Sequence, residues 1–340
     1  MFKSAIKRAL VGSGLDRVVR ALAGGSGAIL MLHRVGEPRR IDGWSATDGL
    51  AIGADTLDRF IDTLQGEGYE LITVSQALER LRAGGTARRF AALTFDDGYL
   101  DNHQVLLPLL ARRGARATVY VSAGFIDRTA GMWWFGVEEA LARNDRVVIR
   151  LPSGPRWFPA ATTQQKSSSY EEIQFLFFHL APEQTRQAIA GLKRDHGVDC
   201  LAYTDALSMS WQQVRAMDQS GVVEIGGHAI DHSPLAAMDE AEARAEITEG
   251  RARIGQGIGR APRSFAYPYG TRITVSPRDI ALVQAAGYTS AVTTQPRPVT
   301  RDDAAHPFIL PRIGLGGNDD WRALRVRLAG MNADHAPYAA

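Results

Sequence analysis

Residues 90–102 read FAALTFDDGYLDN. The run 90–95 is apolar and ends in a turn signal, the mark of a strand buried on both faces. Behind it stand two adjacent carboxylates, Asp96 and Asp97, and then Gly98. A turn or helix cap explains one aspartate at the bend and a glycine supplying positive φ. It does not explain a second like charge beside the first. A helical pattern follows over about 103–113, so the stretch is one strand–turn–helix unit with an unusual turn.

The same unit recurs along the chain. Further strands are expected at 28–33, about 70–74, 117–123, 222–227, 264–267, 288–294 and 308–315. Between them Leu57, Phe60, Ile61 and Leu64 follow the i, i+3, i+4, i+7 rule of an amphipathic helix. Helices are also expected from Ser75 to the Gly84-Gly85 stop, near 210–220, over about 239–256 and near 277–286. Strands alternating with helices make a parallel sheet. About eight strand candidates, with no GxGxxG after the first, favour a closed or partly closed barrel over a doubly wound sheet.

Residues 127–205 break this rhythm with MWWF (132–135), the Pro/Gly stretch LPSGPRWFP and a long helical pattern. The expected organisation is a basic helical segment (1–25), barrel (26–126), mostly helical insertion (127–205), barrel (206–325) and a tail (326–340). Insertions on barrel loops carry specificity. Trp133, Trp134 and Phe135 can stack on sugars or anchor the insertion, and anchoring is the simpler use. Trp211 and Trp321 read as core or packing residues.

The 340 residues are 45% hydrophobic, ample for a core, and carry a net charge of +2 without a dense Lys/Arg block. That pattern speaks against a nucleic-acid partner. Cys200 is the one cysteine, so no intramolecular disulfide forms and a packed small side chain is expected. The N-terminus carries Lys3, Lys7, Arg8, Arg17 and Arg20, and Gly12 and Gly14 interrupt any signal-peptide core. No stretch reaches the ~18 apolar residues of a membrane span. We therefore expect a cytoplasmic protein. Its basic N-terminal helix packs on the domain or touches anionic lipid at the inner membrane surface.

Polar residues stand at several strand ends: His33, Asp96 and Asp97, His228 and His232, Tyr269, and Arg312 in the last strand. In a βα barrel the C-terminal strand ends meet on one face, where active sites sit. His228 and His232, four apart, can share a metal from one turn. Two histidines and one carboxylate leave open positions for water and substrate. One carboxylate of the pair then binds the metal while its neighbour stays free as a base. The metal charge offsets their repulsion.

These residues resemble the polysaccharide deacetylases, the NodB-homology group also called carbohydrate esterase family 4. TFDDG (94–98), HAIDHSPL (228–235) and FAYPYG (265–270) carry the likeness, supported by LMLHRV (30–35), LSMSWQQVRAM (207–217) and LPRIGL (310–315). The resemblance covers about residues 25–325. It implies a distorted parallel (β/α) barrel of about seven strands and a divalent metal, zinc first, with cobalt, nickel or manganese as alternatives. It further implies hydrolysis of acetyl groups from amino sugars of a polysaccharide, oligosaccharide or lipid-linked glycan by metal-activated water. By position, Asp96 is the general base, Asp97, His228 and His232 are the metal ligands, and the Tyr269 amide helps hold the oxyanion.

The chain also departs from the family pattern. Ala229 stands where Ser or Thr is usual after the first histidine, and Ala266 stands in place of an arginine. A DxxDW motif is missing after Tyr288, NDDW (318–321) lies too late, and the late Leu-x-x-His motif is missing. Arg312 can replace the lost arginine by pairing with Asp96, or it forms a surface salt bridge. The general acid is open among His33, His306 and Asp96 after protonation. Three other functions compete. One is an amidase acting on a non-sugar C–N bond, and another is a degenerate glycan-binding module. The third is an Fe(II) oxygenase with a facial triad, which the βα rhythm disfavours.

Overall fold

The apolar run Phe90–Phe95 is a strand with every side chain buried. It lies at the middle of a parallel sheet, where both faces are covered and alternation is lost. The computed structural model describes residues 25–84, 88–317, 319–331 and 333–334. The basic segment at 1–24 and the end of the tail lie outside the described residues.

In chain order the first part comprises β1 (Gly27–Leu32), β2 (Arg34–Val35), β3 (Ala51–Ile52), α1 (Ala54–Gly66), β4 (Glu70–Leu71), α2 (Val74–Arg82), β5 (Phe90–Phe95), α3 (Leu107–Arg113), β6 (Ala117–Val121) and α4 (Ala123–Ile126). Next come α5 (Trp133–Arg143), β7 (Arg146–Leu151), β8 (Gly154–Pro159), α6 (Thr163–Phe177), α7 (Pro182–His196) and α8 (Cys200–Leu207). The remainder holds α9 (Trp211–Gln219), β9 (Val223–Gly227), α10 (Glu240–Ile258), β10 (Ser264–Ala266), α11 (Pro277–Ala285), β11 (Ser290–Val292), β12 (Ile313–Gly314) and α12 (Trp321–Leu328).

Seven parallel strands run in the order β11-β10-β9-β6-β5-β1-β12, with β4 paired to the start of β5. At one edge Leu310 bridges to Val292 of β11, while at the other β12 pairs with β1. One short segment thus touches both edges and curls the sheet into a distorted (β/α) barrel. The strand expected over 308–315 is correspondingly broken. Pro311 has no N–H for a ladder, and regular pairing survives only at Ile313–Gly314.

Helices cover the outside by the spacing seen in the sequence: Leu57, Phe60, Ile61 and Leu64 of α1 are all buried. Strand β9 ends in Gly226 and Gly227 because large rings lie there. A Cβ on Gly226 would stand 2.4 Å from the Tyr120 ring, and one on Gly227 would stand 2.3 Å from the Tyr288 hydroxyl. The helix expected over 103–113 opens with a π-turn at Asn102–Leu106. That turn places buried Asn102 to donate from Nδ2 to the His33 carbonyl at 2.9 Å.

The insertion is mostly helical but includes the antiparallel hairpin β7–β8. Pro155 and Pro159 hid that hairpin in the sequence, since proline normally argues against a strand. The insertion has its own core, which includes Phe158, Ile173, Phe177 and Cys200 and also packs Trp44, Tyr99 and Phe125 of the barrel. Trp211 is partly buried against the barrel core. Trp321, by contrast, is an exposed residue lying beside Arg322 and Arg325 rather than a core residue.

Candidate active site

His33 follows β1, Asp96 and Asp97 follow β5, His228 follows β9, Tyr269 lies beyond β10, and Arg312 precedes β12. All six of these, with His232, line one cleft of about 560 Å³. His306 does not line it; it is exposed and lies beside Pro307 and Ile309 elsewhere on the surface.

The turns that aim these side chains are strained. Of the six non-glycine residues with positive φ among the described residues, four are Asp97, Ala229, His232 and Tyr269. Such conformations cost on the order of 1–3 kcal/mol each and persist where the surrounding structure enforces them.

The carboxylate oxygen Oδ1 of Asp97 lies 3.5 Å from Nε2 of His228 and 3.3 Å from Nε2 of His232. It is buried and has no hydrogen-bond partner. Nδ1 of His228 lies 2.6 Å from the Ala266 carbonyl. Donation there fixes the tautomer and leaves the Nε2 lone pair facing Asp97. Burial pushes both imidazoles down, His232 strongly. Burial, and then the Asp96 charge, push the Asp97 carboxyl well up. Two neutral imidazole nitrogens facing an orphaned carboxylate oxygen make a donor set suited to a divalent cation. Among the described residues these three form the one such cluster of His, Cys, Asp and Glu. The residues present therefore fit the metal that the family implies.

Asp96 is also buried, yet its charge is held by Arg312, whose Nη1 donates to Oδ1 at 2.7 Å. Burial favours the neutral acid. The Arg312 guanidinium outweighs it and holds the carboxyl at about 2. Arg312 is 1% exposed, so this is no surface salt bridge. It is fixed by donation from Nε to the Thr293 carbonyl at 2.9 Å and from Nη1 to Thr94 Oγ1 at 3.2 Å. His33 keeps partial contact with the cleft, but protein packed round its ring pushes it down to about 4 through burial.

The loop bearing both histidines lacks the usual hydroxyl at Ala229 and is tied down by other groups. Ser122 Oγ donates to the His228 carbonyl at 2.8 Å. The Ala123 and Gly124 amides donate to the Ala229 and Ile230 carbonyls at 3.1 and 3.0 Å. From α10, Glu246 Oε2 accepts the Ile230 and Asp231 amides at 2.8 and 3.0 Å. Nothing in the sequence singled out Glu246, one of many charges on that helix.

The insertion supplies one wall of the cleft, with Ser167, Tyr170, Glu171, Gln174 and Phe178 from α6 and its end. Buried Glu138 of α5 shapes the facing wall by accepting the Ala46 and Thr47 amides at 2.7 and 2.9 Å. Trp133 Nε1 donates to Tyr269 Oη at 3.0 Å. Trp133 and Trp134 are therefore buried anchors that also face the cleft, rather than exposed sugar platforms. Tyr99, two residues beyond Asp97, is fully buried and accepts a hydrogen bond from Trp134 Nε1 at 3.1 Å.

A parallel barrel with a His–His–Asp cluster and a second buried aspartate at its strand ends defines a class of hydrolase-like sites. The sequence profile described as Polysaccharide deacetylase matches residues 83–291. The chain belongs to the polysaccharide deacetylase family. The Bacillus subtilis protein YxkH, whose name places it among polysaccharide deacetylases, is 25% identical over 161 residues. That match takes in 46% of this chain and 53% of YxkH, so the chain spans about half the length of this curated relative. In fold, the chain is similar to the Streptococcus pyogenes deacetylase PplD, solved with acetate. The TM-score is 0.59 at 16% identity, over 90% of this chain and 98% of that one. It is also similar to IcaB from Ammonifex degensii, with a TM-score of 0.55 at 19% identity over 89% and 96% of the chains. A de-N-acetylase from Aggregatibacter actinomycetemcomitans gives 0.54 at 15% identity over 88% and 98%.

Proposed function

We propose that the chain is a metal-dependent hydrolase that removes acetyl groups from amino sugars of a glycan. The observation that carries this reading is the pairing of two unlike aspartates. Asp97 turns a partnerless oxygen to two imidazoles, while its neighbour Asp96 is held as an anion by Arg312. The family and the deacetylases sharing the fold support the choice of an acetylated glycan.

In this reading Asp97, His228 and His232 hold the divalent ion, zinc first. When bound, such an ion polarises the acetyl carbonyl and acidifies water. Asp96 accepts the proton as the water oxygen attacks the carbonyl carbon. The Tyr269 amide donates to the developing oxyanion, a kind of contact worth about 3–4 kcal/mol. As the C–N bond breaks, protonated Asp96 returns its proton to the leaving nitrogen, and acetate and the free amine result. Arg312 then restores Asp96 as an anion. His33, neutral at ordinary pH, lines the cleft as a hydrogen-bonding group. Tyr170, Gln174 and Phe178 face the sugar, in a cleft within the usual ligand-pocket range of about 300–1,000 Å³.

The test is acetate release from a panel of N- and O-acetylated oligosaccharides, by protein stripped with a chelator and reloaded with zinc, cobalt, nickel or manganese. Metal-restored release is the predicted result. Stoichiometric metal binding without release from any acetylated glycan would contradict the substrate assignment.

A further inference from the structure

The insertion meets the cleft along one stripe of α6. Ser167, Tyr170, Glu171, Gln174 and Phe178 line it, at the spacing of a single helix face. The stripe has a direction. The Phe178 ring lies 4.5 Å from the Tyr269 ring, which lies 4.7 Å from that of His232, so this end stands at the proposed reacting centre. Glu171, two turns earlier, lies about 10 Å further along the helix axis. It is exposed, and its carboxylate makes no hydrogen bond or ion pair among the described residues. Besides Asp96, Asp97 and Arg312 it is the one Asp, Glu, Lys or Arg side chain lining the cleft among the described residues.

The facing wall is the barrel loop between β2 and β3, and the insertion holds it at two points. Trp44 Nε1 donates to Ser167 Oγ at 3.2 Å, which sets the loop against the far end of the stripe. Oε1 of fully buried Glu138 accepts Ser45 Oγ at 2.6 Å and the Ala46 and Thr47 amides at 2.7 and 2.9 Å. Thr47 Oγ1 lies 3.0 Å from Oε1 and 3.1 Å from Oε2. A buried carboxylate is costly unless such donors satisfy it, so Glu138 and the loop hold each other in place. With the Ser45 and Thr47 hydroxyls engaged by Glu138, Ala46, Gly49 and Leu50 give the wall an apolar lining. An apolar wall on one side and a free acceptor on the other suit a sugar ring, which has C–H faces and a rim of hydroxyl donors.

We propose that the insertion builds a second sugar subsite at this end of the cleft, for the unit of the glycan next to the one being deacetylated. Glu171 accepts hydroxyls of that unit, and Glu138 is a positioning residue that keeps loop 45–47 in place as the opposite wall. This rests on the reading of the protein as a glycan deacetylase, and it makes chain length part of the specificity.

The experiment compares kcat and KM of zinc-loaded protein for an N-acetylated amino sugar and for its tetrasaccharides in several linkages, with zinc affinity and thermal unfolding recorded for each variant. In the wild type the best tetrasaccharide should have a KM about tenfold or more below that of the single sugar, the usual worth of a hydrogen bond to a charged group. Glu171→Ala should raise the tetrasaccharide KM by about tenfold and leave its kcat, the single-sugar KM and zinc affinity unchanged. Glu138→Leu should also raise it by about tenfold, as expected when the loop holds its place only a tenth of the time. Glu138→Gln keeps an accepting oxygen and should recover most of that loss. Glu172→Ala changes the next residue of α6, which pairs with Arg156 and does not line the cleft, and should behave as the wild type does. If Glu138→Leu does not fold, Glu171→Ala, an exposed change, decides. An unchanged tetrasaccharide KM in Glu171→Ala, or one KM for single sugar and tetrasaccharides in the wild type, overturns the inference alone. So does an equal rise in Glu172→Ala, which would reveal a general charge effect. No acetate release by the wild type from any acetylated glycan overturns the deacetylase reading and this inference with it.

Discussion

At Asp96 burial favours the neutral acid and Arg312 favours the anion, and Arg312 prevails. Removing the guanidinium reverses the outcome. In Arg312→Gln the Asp96 pKa should rise from about 2 through the ordinary carboxylate range. The acidic limb of the kcat/KM–pH profile should move upward with it, because the base stays protonated to higher pH. An unmoved limb would count against the pairing. Leaving Asp96 buried without a partner should also destabilise the fold by about 3–5 kcal/mol in urea unfolding, and Arg312→Lys should recover part of that. Asp96→Asn should lower kcat by about 10²–10⁴-fold, the usual range for losing a general base. Zinc affinity should survive that change, since Asp97 is the ligand. The sequence placed both aspartates because they stand at a strand end, and Arg312 because it lies in the last strand candidate. It could not say that Arg312 is buried, because that depends on Thr94 and Thr293, far away in the chain.

At the scale of the element, α10 acts on the histidine loop through Glu246. Burial, and then the Asp231 charge, raise this carboxyl from 4.5 to about 7. A folded-state pKa above the unfolded one gives stability that is fully present below pH 4.5 and lost as the pH rises through about 7. Glu246→Gln should therefore flatten the pH dependence of unfolding free energy across that window, read by urea denaturation. A slope equal to that of the wild type would contradict the clamp's titration. The elements themselves were legible where the local pattern was strong, the 3.6-residue period of α1 and the unbroken apolar run of β5. They were less so where a local signal conflicted with tertiary pairing. The prolines of β8 disguised a hairpin, and Pro311 shortened the last strand to two residues. Glu138 and Glu246 were illegible as site supports, since their partners are backbone amides of other elements.

For the whole molecule, barrel and insertion share the cleft, so packing faults in one should reach the other. A Cβ on Gly136 of α5 would stand 2.3 Å from Cys200 Sγ of α8. Gly136→Ala should cost about 1–3 kcal/mol by overpacking and lower acetate release with it, because α5 carries Trp133 and Trp134. Full activity in a destabilised Gly136→Ala protein would show that insertion and site are uncoupled. The convergence of Asp97, His228 and His232 from two distant strand ends is the feature on which the proposed chemistry depends. It is tested most directly by calorimetric zinc titration of metal-free wild type, Asp96→Asn and Asp97→Asn. One ion should bind per chain in the wild type and in Asp96→Asn, with binding lost in Asp97→Asn. Equal zinc affinity in Asp97→Asn, or no saturable binding in the wild type, would contradict the metal centre.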